Sequence, residues 1–293
     1  MKRFVGRKRR INGYDIAMMA VLLVFALMAL YPFLFTLAGS LNDAQDYQYG
    51  GVWLIPRKFT WASYIVILKD ERLYRALFNT LIVTLVSVVV SLLFTSMVAY
   101  AMSRKKLKGS RVFWFLNMVP MFISGGMIPS YMLILMTGLF NTYFVYIIPT
   151  MFSVFNMIVL CNFFRGIDNS LWESAVLDGA GEFRIWFSIY LPLSKPALAT
   201  IGLWIAVGKW NTYMSTLLWT ETSNSDLWLL QFYLMRLIRE GELPSGNSAY
   251  YGEVSAQTLS FAAIVVSTIP IVCIYPFISK HFSKGIMLGS IKG

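Results

Sequence analysis

Charge is scarce in this sequence. Only 13% of its 293 residues are Asp, Glu, Lys or Arg, against 57% hydrophobic ones, and the mean hydropathy is +0.63. A soluble domain of this length cannot hide so much apolar surface, so several membrane spans are expected. The long unbroken apolar runs favour helices, because a membrane barrel would show short strands of alternating polarity. Histidine occurs once, as His281 beside Lys280, and one imidazole makes no metal site. Cysteine occurs twice, as Cys161 and Cys273. Both sit in apolar stretches without CxxC spacing, so two buried unpaired thiols are expected, with no metal or redox signal. There is no P-loop: five residues separate Gly202 from Gly208-Lys209 and Trp210 follows the lysine, where the motif needs four residues and then Ser or Thr. HExxH, GxSxG and paired carboxylates at a membrane edge are likewise missing, so the chain offers no catalytic constellation and reads as a non-enzyme.

What charge there is carries a net value of +11. The basic residues cluster beside apolar segments, which fits membrane topology and not nucleic acid. Six spans are expected at about 14–40, 78–103, 112–137, 142–165, 195–219 and 257–280. The basic stretch Lys2 to Arg10 leads into apolar sequence long enough to span, with no cleavage pattern of a signal peptide. With the N-terminus inside, seventeen basic residues fall on the inner side and seven on the outer, with Lys209 within span five. This predicts both termini in the cytoplasm. Span three holds Pro120, Gly125, Gly126 and Pro129, so it should be irregular, either lining a cavity or bending for packing. Outside segments at about 41–77 and 220–256 are substantial. The second is acidic, includes an expected amphipathic helix over Asp226–Arg239, and turns at 242–248. Both are natural docking surfaces for a soluble partner.

The longest inside connection, about 165–192, carries the most specific pattern. It reads as a short helix, a glycine break, a second short helix and prolines leading into span five. Ser170 is expected to cap the first helix in a capping box with Glu173, Gly179 to end it with a positive φ, and Pro192 and Pro196 to sit at helix entrances.

Glu173, Ala175, Gly179, Ile189, Leu191 and Pro192 stand at the spacing of the Glu-Ala-Ala signature of binding-protein-dependent ABC importer permeases, with Ser174 in place of the middle alanine. Asp178-Gly179-Ala180 matches a variant common in sugar importers. The chain therefore resembles that family. The Tyr31-Pro32 turn, Asn79-Thr80 at the opening of span two and the ending Phe282 to Gly293 resemble the maltose type. Within that type the likeness is greatest to the lipoprotein-associated branch for complex oligosaccharides, of the alginate or rhamnogalacturonan kind. The resemblance implies an all-α integral membrane protein of the type I importer permease fold, with six transmembrane helices and a coupling helix in the loop between spans four and five, residues 1–293 forming one permease domain. It implies that Glu173, Ser174, Ala175, Asp178, Gly179 and Ala180 meet an ATPase subunit, although Glu173 could also do no more than cap its own helix. The implied partners are a second permease in a heterodimer, two ATPases that hold the ATP and magnesium, and an extracytoplasmic solute-binding protein, in the inner membrane of a bacterium. No cofactor is expected on this chain.

For the cargo path, Trp204, Gly208, Asn211 and Ser215 of span five stand at helical spacing and so share one face. Thr212, Thr216 and Trp219 would widen it. Lys209, costly to bury in lipid, would face a cavity and suit an acidic sugar, or would pair with a carbonyl of the partner permease. A non-sugar importer of the same class is the alternative. A secondary transporter would need intramembrane carboxylates, and every Asp and Glu lies outside the span cores.

Overall fold

The computed structural model describes residues 12–104, 107–240 and 253–286, which form helices joined by turns, with one isolated bridge between Asn42 and Phe59. The helices are α1 (Gly13–Ser40), α2 (Ala44–Gln48), α3 (Ala62–Leu68), α4 (Glu71–Ser103), α5 (Ser110–Phe122), α6 (Met127–Met136) and α7 (Val154–Arg165). There follow α8 (Asn169–Leu177), α9 (Glu182–Ile185), α10 (Leu191–Leu193), α11 (Lys195–Trp210), α12 (Met214–Trp219), α13 (Leu230–Glu240) and α14 (Ala256–Ile286).

Among the described residues, three helices are long and apolar enough to cross a membrane unbroken: α1, α4 and the 256–273 stretch of α14. The other three expected spans are bent pairs. Ser110–Phe122 and Met127–Met136 meet at 114°, Tyr143–Thr150 and Val154–Arg165 at 51°, and Glu182–Leu193 and Lys195–Trp210 at 83°. The first break was legible: Pro120 lies just before it and Gly126 takes φ +85°. The other two breaks lie in spans four and five, and there are up to six spans if each bent pair is one. Span four begins as two short 3-10 turns holding Pro149 before Ser153 restarts an α-helix by accepting from Asn156 N. Span five draws in part of the preceding loop, through a π-helical turn at Trp186–Tyr190 and the break at Ser194 between Pro192 and Pro196. It also ends sooner, at Trp210, with a gap before α12.

Contacts divide the described chain into two units, 12–69 with 253–266, and 70–239 with 267–286. In the first, α1 buries only Ala38, Gly39 and Ser40. Its Gly39 has no room for a side chain, since an added Cβ would sit 2.6 Å from the Phe261 ring of α14. The connection after α1 is organised by two buried polar residues. Asn42 Oδ1 accepts from Arg57 N at 2.7 Å and Lys58 N at 3.0 Å. Asp43 caps α2 and pairs with Lys58 at 3.2 Å. Burial pushes the Asp43 carboxyl up, but the backbone N–H of Asp46, the Lys58 ammonium and the N–H of Gln45 outweigh it and hold it below the usual carboxylate range.

In the second unit α4 is the central element, packed on α7 and α11. Its Ser87, Ser91 and Thr95, spaced by four, form a buried small-residue stripe. Opposite, an added Cβ on Gly202 of α11 would lie 3.2 Å from Leu92 and 3.6 Å from Val88. Small residues let helices approach closely where lipid provides no hydrophobic drive between them.

Candidate functional site

The helix that carries the signature is α8. Its cap corrects the sequence reading: Asp168, not Ser170, is the N-cap, accepting from Ser170 N at 2.9 Å. That N–H and the Ser170 hydroxyl hold the Asp168 carboxyl below its ordinary range. Glu173 accepts from Asn169 Nδ2 at 2.6 Å, so it is fixed by a neighbour one turn back. The C-terminus follows the expected pattern. Gly179 takes φ +78°, its N–H donates to Val176 O at 3.0 Å, and Ala180 N donates to Ala175 O at 2.9 Å. These two bonds are the Schellman pair, and they need the left-handed conformation that glycine adopts without strain.

No residue of α8 is fully buried. Trp172, Ala175 and Ala180 rest partly against the core. Glu173, Ser174, Val176, Leu177, Asp178 and Gly179 are exposed, Leu177 at 88%. The signature residues are thus brought together on one short helix and its terminal turn, with an apolar and acidic face open to a partner.

The cargo-path residues are gathered less tightly. Trp204 and Gly208 share α11, and the Trp204 ring lies 5.7 Å from that of Phe155. Asn211 caps α11 and its Nδ2 folds back onto Val207 O at 2.9 Å. Ser215 belongs to α12, its hydroxyl 3.3 Å from that of Thr212. The helix stops between them, so no continuous face joins all four, which corrects the helical-spacing reading. Lys209 donates to the carbonyl of Tyr146 and the hydroxyl of Thr150. Those acceptors sit on the 3-10 turns that open span four. Cys161 is buried as expected, whereas Cys273 is exposed.

The family model for binding-protein-dependent transport system inner membrane components matches residues 91–288. The chain belongs to this family. It is 39% identical to the polygalacturonan/rhamnogalacturonan transport system permease protein YtcP of Bacillus subtilis (strain 168), over 96% of this chain and 98% of that one. It is 34% identical to Protein LplC of the same organism, over 91% and 90% of the two chains. Among solved structures, a chain of a bacterial ABC transporter involved in the import of the acidic polysaccharide alginate is 33% identical, with a TM-score of 0.85 over 96% of this chain and 100% of that chain. The protein is therefore a permease subunit of a binding-protein-dependent transporter, of the type I fold, and not itself an enzyme. All the candidate residues, from Glu173 to Ser215, lie inside the family match.

Sequence reasoning missed how this permease holds α4 at its two ends. Near Glu71, Asn79 Nδ2 donates to Asp226 O and Trp228 O at 2.7 and 3.0 Å, its Oδ1 accepts from Tyr143 OH at 3.0 Å, and Thr80 Oγ1 accepts from Leu230 N at 2.8 Å. An Asn-Thr pair inside an apolar run is itself a signal, because polar side chains in a span need partners. At the other end Arg104 caps the helix and meets α8. Nothing in the spacing of the two segments pointed to that contact.

Proposed function

We propose that this chain forms half of the channel of an ATP-driven importer of oligosaccharides, acidic ones included. It works with a second permease, two ATPases and an extracytoplasmic binding protein, in a bacterial cytoplasmic membrane with both termini inside. The observation that carries the reading is the signature from Glu173 to Pro192, realised as an exposed helix ended by the Gly179 turn. The excess of basic residues on the N-terminal side supports the orientation. In that orientation Tyr49, Trp53, Ile55 and Trp61, 84%, 66%, 76% and 55% exposed, are large apolar side chains open on the outer segment where a binding protein would dock.

Lys209 supports an acidic cargo. Its two acceptors are a carbonyl and a hydroxyl, and among the described residues no carboxylate forms an ion pair with it. A cation in a span without a counter-ion favours an arriving carboxylate. The named roles of YtcP and of the alginate transporter agree with such a cargo. The test is the reconstituted complex with its loaded binding protein, challenged with galacturonate or alginate oligomers and with neutral oligomers. Lys209→Met is expected to lower turnover of the acidic set about tenfold, the loss of one charge-assisted contact, while complex yield stays unchanged. Equal loss on both sets, or failed assembly, would assign Lys209 to packing.

A further inference from the structure

The α8 helix has no buried residue, so its hold on the membrane helices must be local. That hold is a small cluster at the Ser103 end of α4. The Arg104 guanidinium lies over the Trp172 ring of α8 at 4.0 Å and over the Tyr100 ring at 5.7 Å. The Trp172 indole donates to the Glu182 carboxylate at 3.2 and 3.3 Å, and the Tyr100 hydroxyl donates to that same carboxylate. Arg104 also donates to Tyr190 OH at 3.0 Å, reaching the π-turn on the far arm of the loop. Both arms therefore converge on Arg104 and Tyr100 of one helix end.

Beside this cluster lies a cavity of about 480 Å³, lined by Tyr100, Arg104, Trp172, Glu182, Phe183 and Trp186 among others. Protein interiors are close-packed, and packed surfaces transmit displacement. The far arm of the loop is packed in this way, with Ile185, Trp186 and Tyr190 in one buried cluster with Ala99, Tyr100 and Met102 of α4, whereas α8 adds only the partly buried Trp172 and Ala175 to it. Trp186 lines the same cavity with a buried indole N–H that has no acceptor, whereas Trp172 holds the Glu182 carboxylate. Both indoles pack at this end of α4, but only the one on α8 also has a polar link to it, through the Glu182 carboxylate that Tyr100 shares.

We propose that Arg104, Trp172 and Glu182 form the joint that makes α8 and the Ser103 end of α4 move as one body. They act as positioning residues in coupling, beyond the signature residues themselves. A cation over a partly desolvated indole, with that indole bonded to a carboxylate, resists both sliding and tilting, because the stack fixes the ring plane and the N–H fixes its direction. The proposal rests on the importer reading above.

The test uses the complete complex with its ATPases and binding protein. Trp172→Ala and Arg104→Ala are each expected to lower cargo moved per ATP hydrolysed about tenfold, within the usual range of coupling between linked sites. Complex yield and unfolding temperature should stay as in the wild type. The double variant should be no worse than either single one, since both remove the same contact. Trp172→Phe, which keeps a ring under the guanidinium, should recover part of the coupling. A second readout needs no transport: spin labels at Ser170 and Leu93 should keep one separation with and without ATP in the wild type, and two separations in Trp172→Ala. An unchanged transport ratio in Trp172→Ala, or label separations that match the wild type, would overturn the joint. So would a loss of yield that Trp172→Phe shares, which would make the cluster packing only. If no loaded binding protein stimulates the wild-type ATPase, the importer reading fails, and the label experiment still decides the joint.

Discussion

The two ends of α4 are held in opposite ways. Near Glu71 the grip is neutral and buried: Asn79 is 4% exposed and Thr80 1%, and four hydrogen bonds tie them to Tyr143 and to backbone at Asp226, Trp228 and Leu230. The segment so held is itself core, since Leu227, Trp228, Leu229 and Leu230 are all buried. Near Ser103 the helix is buried too, at Ala99, Tyr100 and Met102, but α8 is tied to it by charged and aromatic contacts, Glu182 is exposed, and the cluster borders open space. Buried amide bonds left without partners cost far more than exposed charge contacts. One end is therefore built to stay put, and the other to be pushed. A helix of 33 residues, about 50 Å at 1.5 Å per residue, can act as a lever only with one end anchored.

The largest effect should come from breaking the anchored end. Asn79→Leu strands the Trp228 carbonyl, while the Tyr143 hydroxyl and the Asp226 carbonyl keep each other as partners, and it should cost about 1–3 kcal/mol through the unsatisfied buried group. It should appear as a lower unfolding temperature and a lower yield of the complex, with the surviving complex moving normal cargo per ATP. Normal yield with lost coupling would mean that this end moves too, and the contrast would collapse.

Gly179 sharpens the other side. The Cβ of Gly179→Ala would meet no heavy atom within 4 Å, so its cost is conformational alone, about 1–2 kcal/mol for a left-handed residue. That strain falls on the last turn of α8 and not on the core. ATPase stimulation by the loaded binding protein should drop while the unfolding temperature holds. Gly179→Pro should go further, since it also removes the N–H that bonds Val176 O and cannot adopt φ +78°. A fall in unfolding temperature matching that of Asn79→Leu would show that the loop is part of the stable core.

What the sequence revealed follows the range of the forces involved. The family, the helical class, the break in span three and the Gly179 turn depend on local composition and short spacing, and each was legible. The breaks in spans four and five were not. They arise from single prolines and a π-turn whose effect depends on what the helix packs against. The cap of α8 was misplaced by two residues because Asp168 and Ser170 are both good caps and only the fold chooses. The Asn79 anchor and the Arg104 cluster join residues 147 and 82 positions apart in the chain, between Asn79 and Asp226 and between Tyr100 and Glu182. No periodicity reports such pairs. The cargo path remained partly hidden for a related reason: helical spacing aligns Trp204 with Ser215 only if the helix continues, and it ends at Trp210.

The smallest expected effect is the most direct test of the contrast, because it compares two arginines on one helix segment. Arg75 pairs with Asp226 right beside the Asn79 anchor, but both side chains are open to solvent, at 55% and 67%. An exposed ion pair contributes about 0–1 kcal/mol and is screened by salt. Arg75→Met should therefore shift the unfolding temperature by no more than about 4 °C, at about 2–4 °C per kcal/mol for a chain of this size. It should also leave cargo per ATP unchanged, because the anchor behind it is made by neutral groups. Arg104→Met should be equally silent in unfolding yet reduce coupling, because its guanidinium is what covers Trp172. Measured side by side in one complex, equal coupling in the two variants would remove the distinction between anchor and joint. A coupling loss confined to Arg104→Met would place the moving contact at the Ser103 end.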